Sequence, residues 1–216
     1  MKLKGAIFDV DGTLFDSMGM WATAASRYLK SQGITPPEGI DSKFITLSLA
    51  EGSKLIKNEF LPQLTWEQIA QGINDLIEDF YFNLHETKPG VPELLKALSD
   101  AGVSMCIATA TDKYLVRKAL DNCGILGYFG EIFTCPDLGV GKDTPHIYRI
   151  ALAFLGTERE NTLIFEDSYF ATKTAYNDGF MIAAVEDKWA MKHKDEIKAI
   201  SKYYITSYDE WRKNNL

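Results

Sequence analysis

The sequence predicts an α/β fold: a mostly parallel sheet with helices on both faces, interrupted by a helical insert. Three observations predict it. Short apolar runs recur with helical stretches between them, the alternation of strands joined by helical crossovers. Acids or hydroxyl residues follow several of those runs directly. One long stretch after the first run has helical periodicity and no strand pattern. With 216 residues, 46% hydrophobic and 12% aromatic, the chain can build a mid-sized domain, or a core domain with a smaller insert.

The first strand is expected in LKGAIFDV at 3–10, ending in acids. From about Met18 to Leu84 only helices are legible. Met18, Trp21, Ala22, Ala25, Tyr28 and Leu29 mark one apolar stripe, and Ile69, Ile73, Leu76, Ile77, Phe80 and Leu84 another. Thr65 to Gln68 forms a capping-box pattern at the start of the second stripe, and Ser48 to Glu51 forms another. KPGVPELLKAL at 88–98 then returns the chain to the sheet, with Pro92 near a helix start. Further strands are expected in GVSMCIAT at 102–109, EIFT at 131–134, TLIFE at 162–166, FMIAAV at 180–185 and YYIT at 203–206. The expected organisation is a core of 1–16 and 88–216 with residues 17–87 inserted. Ligands of such sheets sit beyond the carboxyl ends of the strands.

Charge narrows the function. Lys plus Arg number 23 against 30 Asp plus Glu, a net −7 with both signs mixed. A phosphate-backbone binder needs a basic face, so nucleic acid is disfavoured as a partner. The amino-terminal apolar stretch runs into acids, unlike a signal peptide, and no run approaches the ~18 residues of a membrane span. A cytoplasmic, soluble protein with no membrane partner is expected, monomeric with a dimer as the alternative. Cys106, Cys123 and Cys135 lack paired ligand spacing and read as structural or incidental thiols. His85, His146 and His193 match no role in the site developed below.

The most informative stretch is AIFDVDGTLFDS, where Asp9 and Asp11 close the first strand. Asp11-Gly12 could be a hairpin turn. An EF-hand loop would need Gly sixth and Glu twelfth from Asp9, and Leu14 and Met20 stand there. Two carboxylates in different environments can instead bind Mg²⁺ and divide the labour of phosphoryl transfer, one ionised as nucleophile and one holding a proton. Such chemistry demands phosphate donors, a cation and further oxygen ligands. In IATATDKY, Thr109 and Thr111 stand where a strand turns into a helix starting near Asp112, so hydroxyls and backbone amides, including that of Ala110, can face a phosphate. Helix capping is the plainer reading of those threonines. Lys142 lies in the glycine-flanked loop of GVGKDTPHIY, before a helix that can start at Pro145; a solvated lysine is its plainer reading. Glu166 and Asp167 end TLIFEDS, where a divalent cation would offset their repulsion, and capping by Asp167 or Ser168 is the alternative. All four sites fall at strand ends in one order.

Together these residues resemble the haloacid dehalogenase (HAD) superfamily, with DVDGT as first motif, Thr109 as second, Lys142 as third and EDS as fourth. The resemblance covers essentially the whole chain. Its helical insert is similar to the small cap of the subgroup containing phosphoglycolate phosphatase and β-phosphoglucomutase. It implies a Rossmann-like core with a mobile cap closing over the active site. Asp9 would attack phosphorus and form an aspartyl-phosphate, while Asp11 would protonate the leaving alcohol and then deprotonate water. Thr109, Ala110 and Lys142 would hold the phosphoryl group. Mg²⁺ would bind the Asp9 carboxylate, the Asp11 backbone carbonyl and Asp167, with Glu166 near it through water.

Two departures from the family pattern bear on function. Asp143 follows Lys142 where Pro is common, with Pro145 coming later. The segment FITLSLAEGSKL lacks the arginine that mutase relatives present to a second phosphate, and Trp21 stands where they carry a cap histidine. The expected function is therefore Mg-dependent phosphatase action on a small phosphorylated metabolite, with a β-phosphoglucomutase-like mutase as the alternative and a non-catalytic binding module less favoured. Dehalogenases and phosphonate hydrolases lack an acid at the Asp11 position. P-type ATPases and signalling receiver domains fit the motif order less well. Met18, Trp21, Phe44 and Leu47 are candidates to face a substrate or, more simply, to pack the insert's own core.

Overall fold

The structure, a computed structural model, describes residues 2–45 and 47–216. Its first strand, β1 (Gly5–Phe8), is buried along its whole length. Side chains alternate across it. Ile7 joins a core with Cys106, Ile164 and Tyr148, while the Phe8 ring stacks on Phe165 at 4.3 Å and meets Phe129 edge-on at 5.8 Å. A strand with apolar contacts on both faces has no polar side to show, which is why the sequence there is an unbroken apolar run.

Contacts divide the chain into two compact units, Ser17–Leu84 and the remainder. The Ser17–Leu84 unit is helical: α1 (Met18–Trp21), α2 (Ala24–Ser31), α3 (Ile40–Phe44), α4 (Leu49–Glu59) and α5 (Trp66–Phe82). Both capping boxes form. The Ser48 and Thr65 hydroxyls accept from the Glu51 and Gln68 amides, and those side chains reach back. Phe44, Ile56, Ile69 and Ile73 share the core of this unit, with Trp21 packed against it. The Trp21 indole N–H donates to the Tyr81 hydroxyl at 2.8 Å. Close packing sets two small residues here: a Cβ on Gly52 would lie 2.3 Å from the Phe44 ring, and one on Gly72 2.6 Å from that of Tyr28.

The larger unit continues with α6 (Val91–Asp100), β2 (Ser104–Thr109), α7 (Lys113–Asn122), β3 (Ile132–Thr134), α8 (Cys135–Leu138) and α9 (His146–Leu155). It closes with β4 (Thr162–Glu166), α10 (Tyr169–Asn177), β5 (Met181–Val185), α11 (Lys194–Ile200), β6 (Tyr203–Ile205) and α12 (Tyr208–Asn215). Pro92 lies in the first turn of α6. Pro145 occupies the cap position of α9, one residue before the helix rather than its first.

Among the described residues six strands form one parallel sheet in the order β3-β2-β1-β4-β5-β6. From β1 the chain first builds outward through β2 and β3, then returns to the other side of β1 for β4, β5 and β6. This reversal opens a crevice at the carboxyl end of β1, where open α/β sheets bind ligands. The register sets Phe8 opposite Ile107 of β2 and Phe165 of β4, so the residues that follow these three strands emerge side by side.

Candidate active site

Asp9 continues the ladder one residue past β1, its N–H donating to the Phe165 carbonyl at 2.9 Å. The chain then turns sharply. The Val10 carbonyl accepts from Leu14 N at 2.8 Å and Phe15 N at 3.0 Å, and Gly12 N donates to the Phe15 carbonyl at 2.9 Å. Gly12 has φ +79°, a conformation that only glycine adopts without strain. The Asp-Gly pair thus makes a turn, but it leads into α1 rather than a second strand. It brings Asp11 to β2, where Asp11 Oδ2 accepts from the Thr111 hydroxyl at 2.7 Å.

At the end of β4, Glu166 is held from four directions. Its Oε2 accepts from the backbone N–H groups of Asp167 at 2.8 Å and Ser168 at 3.2 Å. Its Oε1 accepts from Lys142 Nζ at 2.8 Å and the Tyr148 hydroxyl at 3.3 Å. Lys142 Nζ also donates to Asp9 Oδ1. Carboxylate oxygens of Asp9, Glu166 and Asp167 all lie within 4.8 Å of one another, and the three residues are only 6%, 1% and 4% exposed.

Electrostatics follow from this crowding. Burial pushes the Asp9 carboxyl up to about 8, against the pull of Lys142 and with the help of Glu166 and Asp11. Burial likewise drives Asp167 well above the usual carboxylate range, reinforced by Glu166, Asp9 and Asp187. Burial would lower Lys142, but Asp9 and Glu166 prevail and hold its ammonium protonated. The single ammonium pairs with Asp9 and Glu166, and the crowded acids keep protons rather than their full negative charge. Hard oxygen donors at this separation suit a hard divalent cation, which would return Asp9 and Asp167 to their ionised forms.

The other expected residues are placed as follows. Thr109 is fully buried at the end of β2 and its Oγ1 accepts from the Thr111 amide at 3.2 Å; Ala110 is exposed beside it. The Thr111 hydroxyl, expected to face a phosphate, faces Asp11 instead. Neither threonine caps α7, whose cap position is Asp112. Asp143 is exposed while Lys142 points inward to Asp9 and Glu166. Ser168 occupies the cap position of α10 without a side-chain cap bond. Phe44 is buried in the helical unit's core and Trp21 is packed against it, whereas Met18 and Leu47 are half-buried. Thr46, in the segment read for its lack of arginine, lies outside the described residues. His193 stacks on Tyr169 at 4.5 Å and faces Glu196. Burial pushes the Cys106 and Cys135 thiols up to about 12 and about 11, so neither is a thiolate near neutrality.

Two participants were missed from the sequence. Tyr148, which braces Glu166 and sets its ring 5.9 Å from Lys142 Nζ, lies in a helix whose apolar pattern marks it only as core. Asp187 is buried behind the cluster, paired with Lys88 at 2.9 Å and capped by the Trp189 amide at 2.9 Å. Its place two residues past β5 was the available signal.

Residues 3–171 match the family model described as "Hydrolase: haloacid dehalogenase-like hydrolase". A phosphorylated carbohydrates phosphatase of Thermotoga maritima is 23% identical over 177 residues, covering 82% of each chain. A phosphoglycolate phosphatase of Vibrio vulnificus is 26% identical over 209 residues, covering 86% of this chain and 90% of that one. The crystal structure of CbbY from Rhodobacter sphaeroides in complex with xylulose-(1,5)-bisphosphate superimposes with a TM-score of 0.84 at 19% identity, covering 96% of both chains. That likeness is one of fold.

Proposed function

We propose that this chain, which belongs to the haloacid dehalogenase-like hydrolase family and is a phosphatase, hydrolyses a small phosphomonoester with Mg²⁺ through an aspartyl-phosphate on Asp9. The observation that carries this reading is the cluster at the β1 and β4 ends: three buried carboxylates within 4.8 Å of one another, two of them, Asp9 and Glu166, paired with Lys142, and Asp11 two residues from Asp9. A metal ion held by Asp9, the Asp11 carbonyl and Asp167 would supply charge neutralisation for the transferring phosphoryl group. Glu166, tied by four hydrogen bonds, keeps Lys142 in place and would join the metal through water.

Asp9 is the nucleophile. Its carboxylate oxygen bonds to phosphorus as the ester bond breaks, and Asp11 gives a proton to the departing alcohol. Water then attacks the aspartyl-phosphate, gives its proton to Asp11 and releases phosphate. Lys142 offsets charge on the phosphoryl oxygens, with the Thr109 hydroxyl and the Ala110 amide as further donors at the β2 end. An acid at position 11 suits an alkoxide, a poor leaving group, and so favours phosphate esters. Phosphorylated carbohydrates form the favoured substrate class, because the Thermotoga maritima relative is named for them.

The test is phosphate release from a panel of sugar phosphates, phosphoglycolate and nucleotide monophosphates, with Mg²⁺ or chelator, for wild type and Asp9→Asn. Release that needs both Mg²⁺ and Asp9 supports the reading. A phosphorylated isomer accumulating without phosphate would assign mutase chemistry instead, and a folded, silent wild type would remove the phosphatase reading.

A further inference from the structure

We propose that Thr111 is the positioning residue for Asp11, its hydroxyl holding the carboxyl in the one orientation that exchanges a proton with the leaving group and then with water. The proposal rests on the phosphatase reading above. Thr111 is 3% exposed, and its hydroxyl donates to Asp11 Oδ2 at 2.7 Å, a well-formed O–H···O length. The Thr111 backbone is itself fixed, because its N–H donates to Thr109 Oγ1 at 3.2 Å. The bond therefore ties a loop that turns on Gly12 to the rigid end of β2. Loss of this bond removes a tether between the half-buried Asp11 carboxyl and the end of β2, which widens the orientations its proton can take. Proton transfer needs hydrogen-bond reach to the reacting oxygen, so lost orientation becomes lost rate.

The hydroxyl also sorts the two carboxyl oxygens. While Oδ2 accepts from Thr111, the transferable proton resides on Oδ1. In the first step an Asp9 oxygen bonds to phosphorus, the ester P–O bond breaks, and its electron pair goes to the alcohol oxygen, which takes the proton from Oδ1. In the second, a water oxygen bonds to phosphorus, its proton returns to Oδ1, and the Asp9–phosphorus bond breaks to free phosphate. Thr111 loses no proton in either step.

A group that acts through the general acid matters only where the acid matters. The test compares β-glycerol phosphate, whose alkoxide must be protonated to leave, with p-nitrophenyl phosphate, whose phenolate leaves without a proton. First-turnover release of the alcohol or phenol is followed for wild type, Thr111→Val and Thr111→Ser in Mg²⁺. Thr111→Val is expected to slow glycerol release by about 10- to 100-fold, a part of the acid's full ~10²–10⁴, with KM within about twofold. It is expected to leave nitrophenolate release within about threefold. Thr111→Ser, which keeps the donor, restores most of the glycerol rate. In an Asp11→Asn background the valine change costs less than about twofold more, because both substitutions remove one unit.

Equal losses on the two substrates, a loss confined to KM, or full additivity with Asp11→Asn would overturn the proposal while leaving the phosphatase reading intact. A wild type that releases phosphate from neither ester would remove that reading, and this inference with it. Should valine prevent folding, Thr111→Ala supplies the same comparison.

Discussion

An acid cluster built, as proposed, to hold a metal is a burden when bare, and Asp167 shows the burden most directly. Buried beside Glu166, Asp9 and Asp187, it retains its proton well above the ordinary carboxylate range. The native state then holds protons that the unfolded chain releases above ~3.9, so stability falls as pH rises from that value toward the folded one, which for Asp9 is about 8. In chelator, the thermal midpoint of the wild type is therefore expected to drop between pH 5 and pH 8. Asp167→Asn removes one ionisable member and should raise the midpoint at pH 8 in chelator by ~2–4 °C, the equivalent of about 1 kcal/mol at this size. Mg²⁺ should stabilise the wild type and do little for the variant, which should have lost turnover; a variant less stable than wild type in chelator would contradict this account. The acids themselves are legible in the sequence, since each follows an apolar run. Their bracing is not. Thr111 meets Asp11 and Lys88 meets Asp187 across sequence separations of 100 and 99, and no periodic pattern encodes such pairs.

At the scale of elements, the apolar runs translate most directly into strands: TLIFE is β4 from end to end. Short elements were harder to see. α8 and the 3₁₀ turns Leu126–Tyr128, Arg159–Asn161 and Met191–His193 are too brief for periodicity, and local contacts decide them, as where Thr134 accepts from the Asp137 amide to start α8. Capping boxes, being local, were legible and make a clean test. Thr65→Ala should destabilise the protein by about 1 kcal/mol, read as a lower urea midpoint at unchanged slope. A second test lies where α9 meets the end of α10. Arg149 Nε donates to Asp178 at 3.0 Å and Arg159 Nη2 at 2.9 Å, and these bonds, Arg149 first, hold the Asp178 carboxyl down to about 2. An acid with a depressed folded value stabilises above its unfolded value and loses that contribution as pH falls through the folded one. Because Arg149 is 56% exposed, solvent screening limits the contribution, and Asp178→Asn should cost about 1 kcal/mol at pH 7. That difference should shrink as pH is lowered from ~4 toward 2; a difference that persists unchanged would assign the cost to packing instead.

Across the whole molecule, topology and charge act together on the substrate. The sheet order was not readable from the strand runs, because which strands become neighbours depends on crossovers whose paths carry no sequence mark. Yet that order, reversing at β1, is what gathers the ends of β1, β2 and β4 into one crevice. The charge was readable at once: a net −7, of which a bound divalent cation cancels only part. On the proposed function, a dianionic phosphate ester would approach against a long-range repulsion and meet attraction only at close range, from Lys142 and from a metal held by the acid cluster. Salt separates these two scales. Raising ionic strength from about 0.01 M to about 0.15 M shortens the screening length from ~30 Å to ~8 Å, which weakens the repulsion over the approach while leaving the buried Lys142 contacts nearly unscreened. At saturating Mg²⁺, kcat/KM is therefore expected to rise by up to about threefold over that range, with kcat unchanged. A fall would mean that the field at the mouth of the crevice is positive despite the net charge, and that local basic residues rather than the molecule's total charge govern capture.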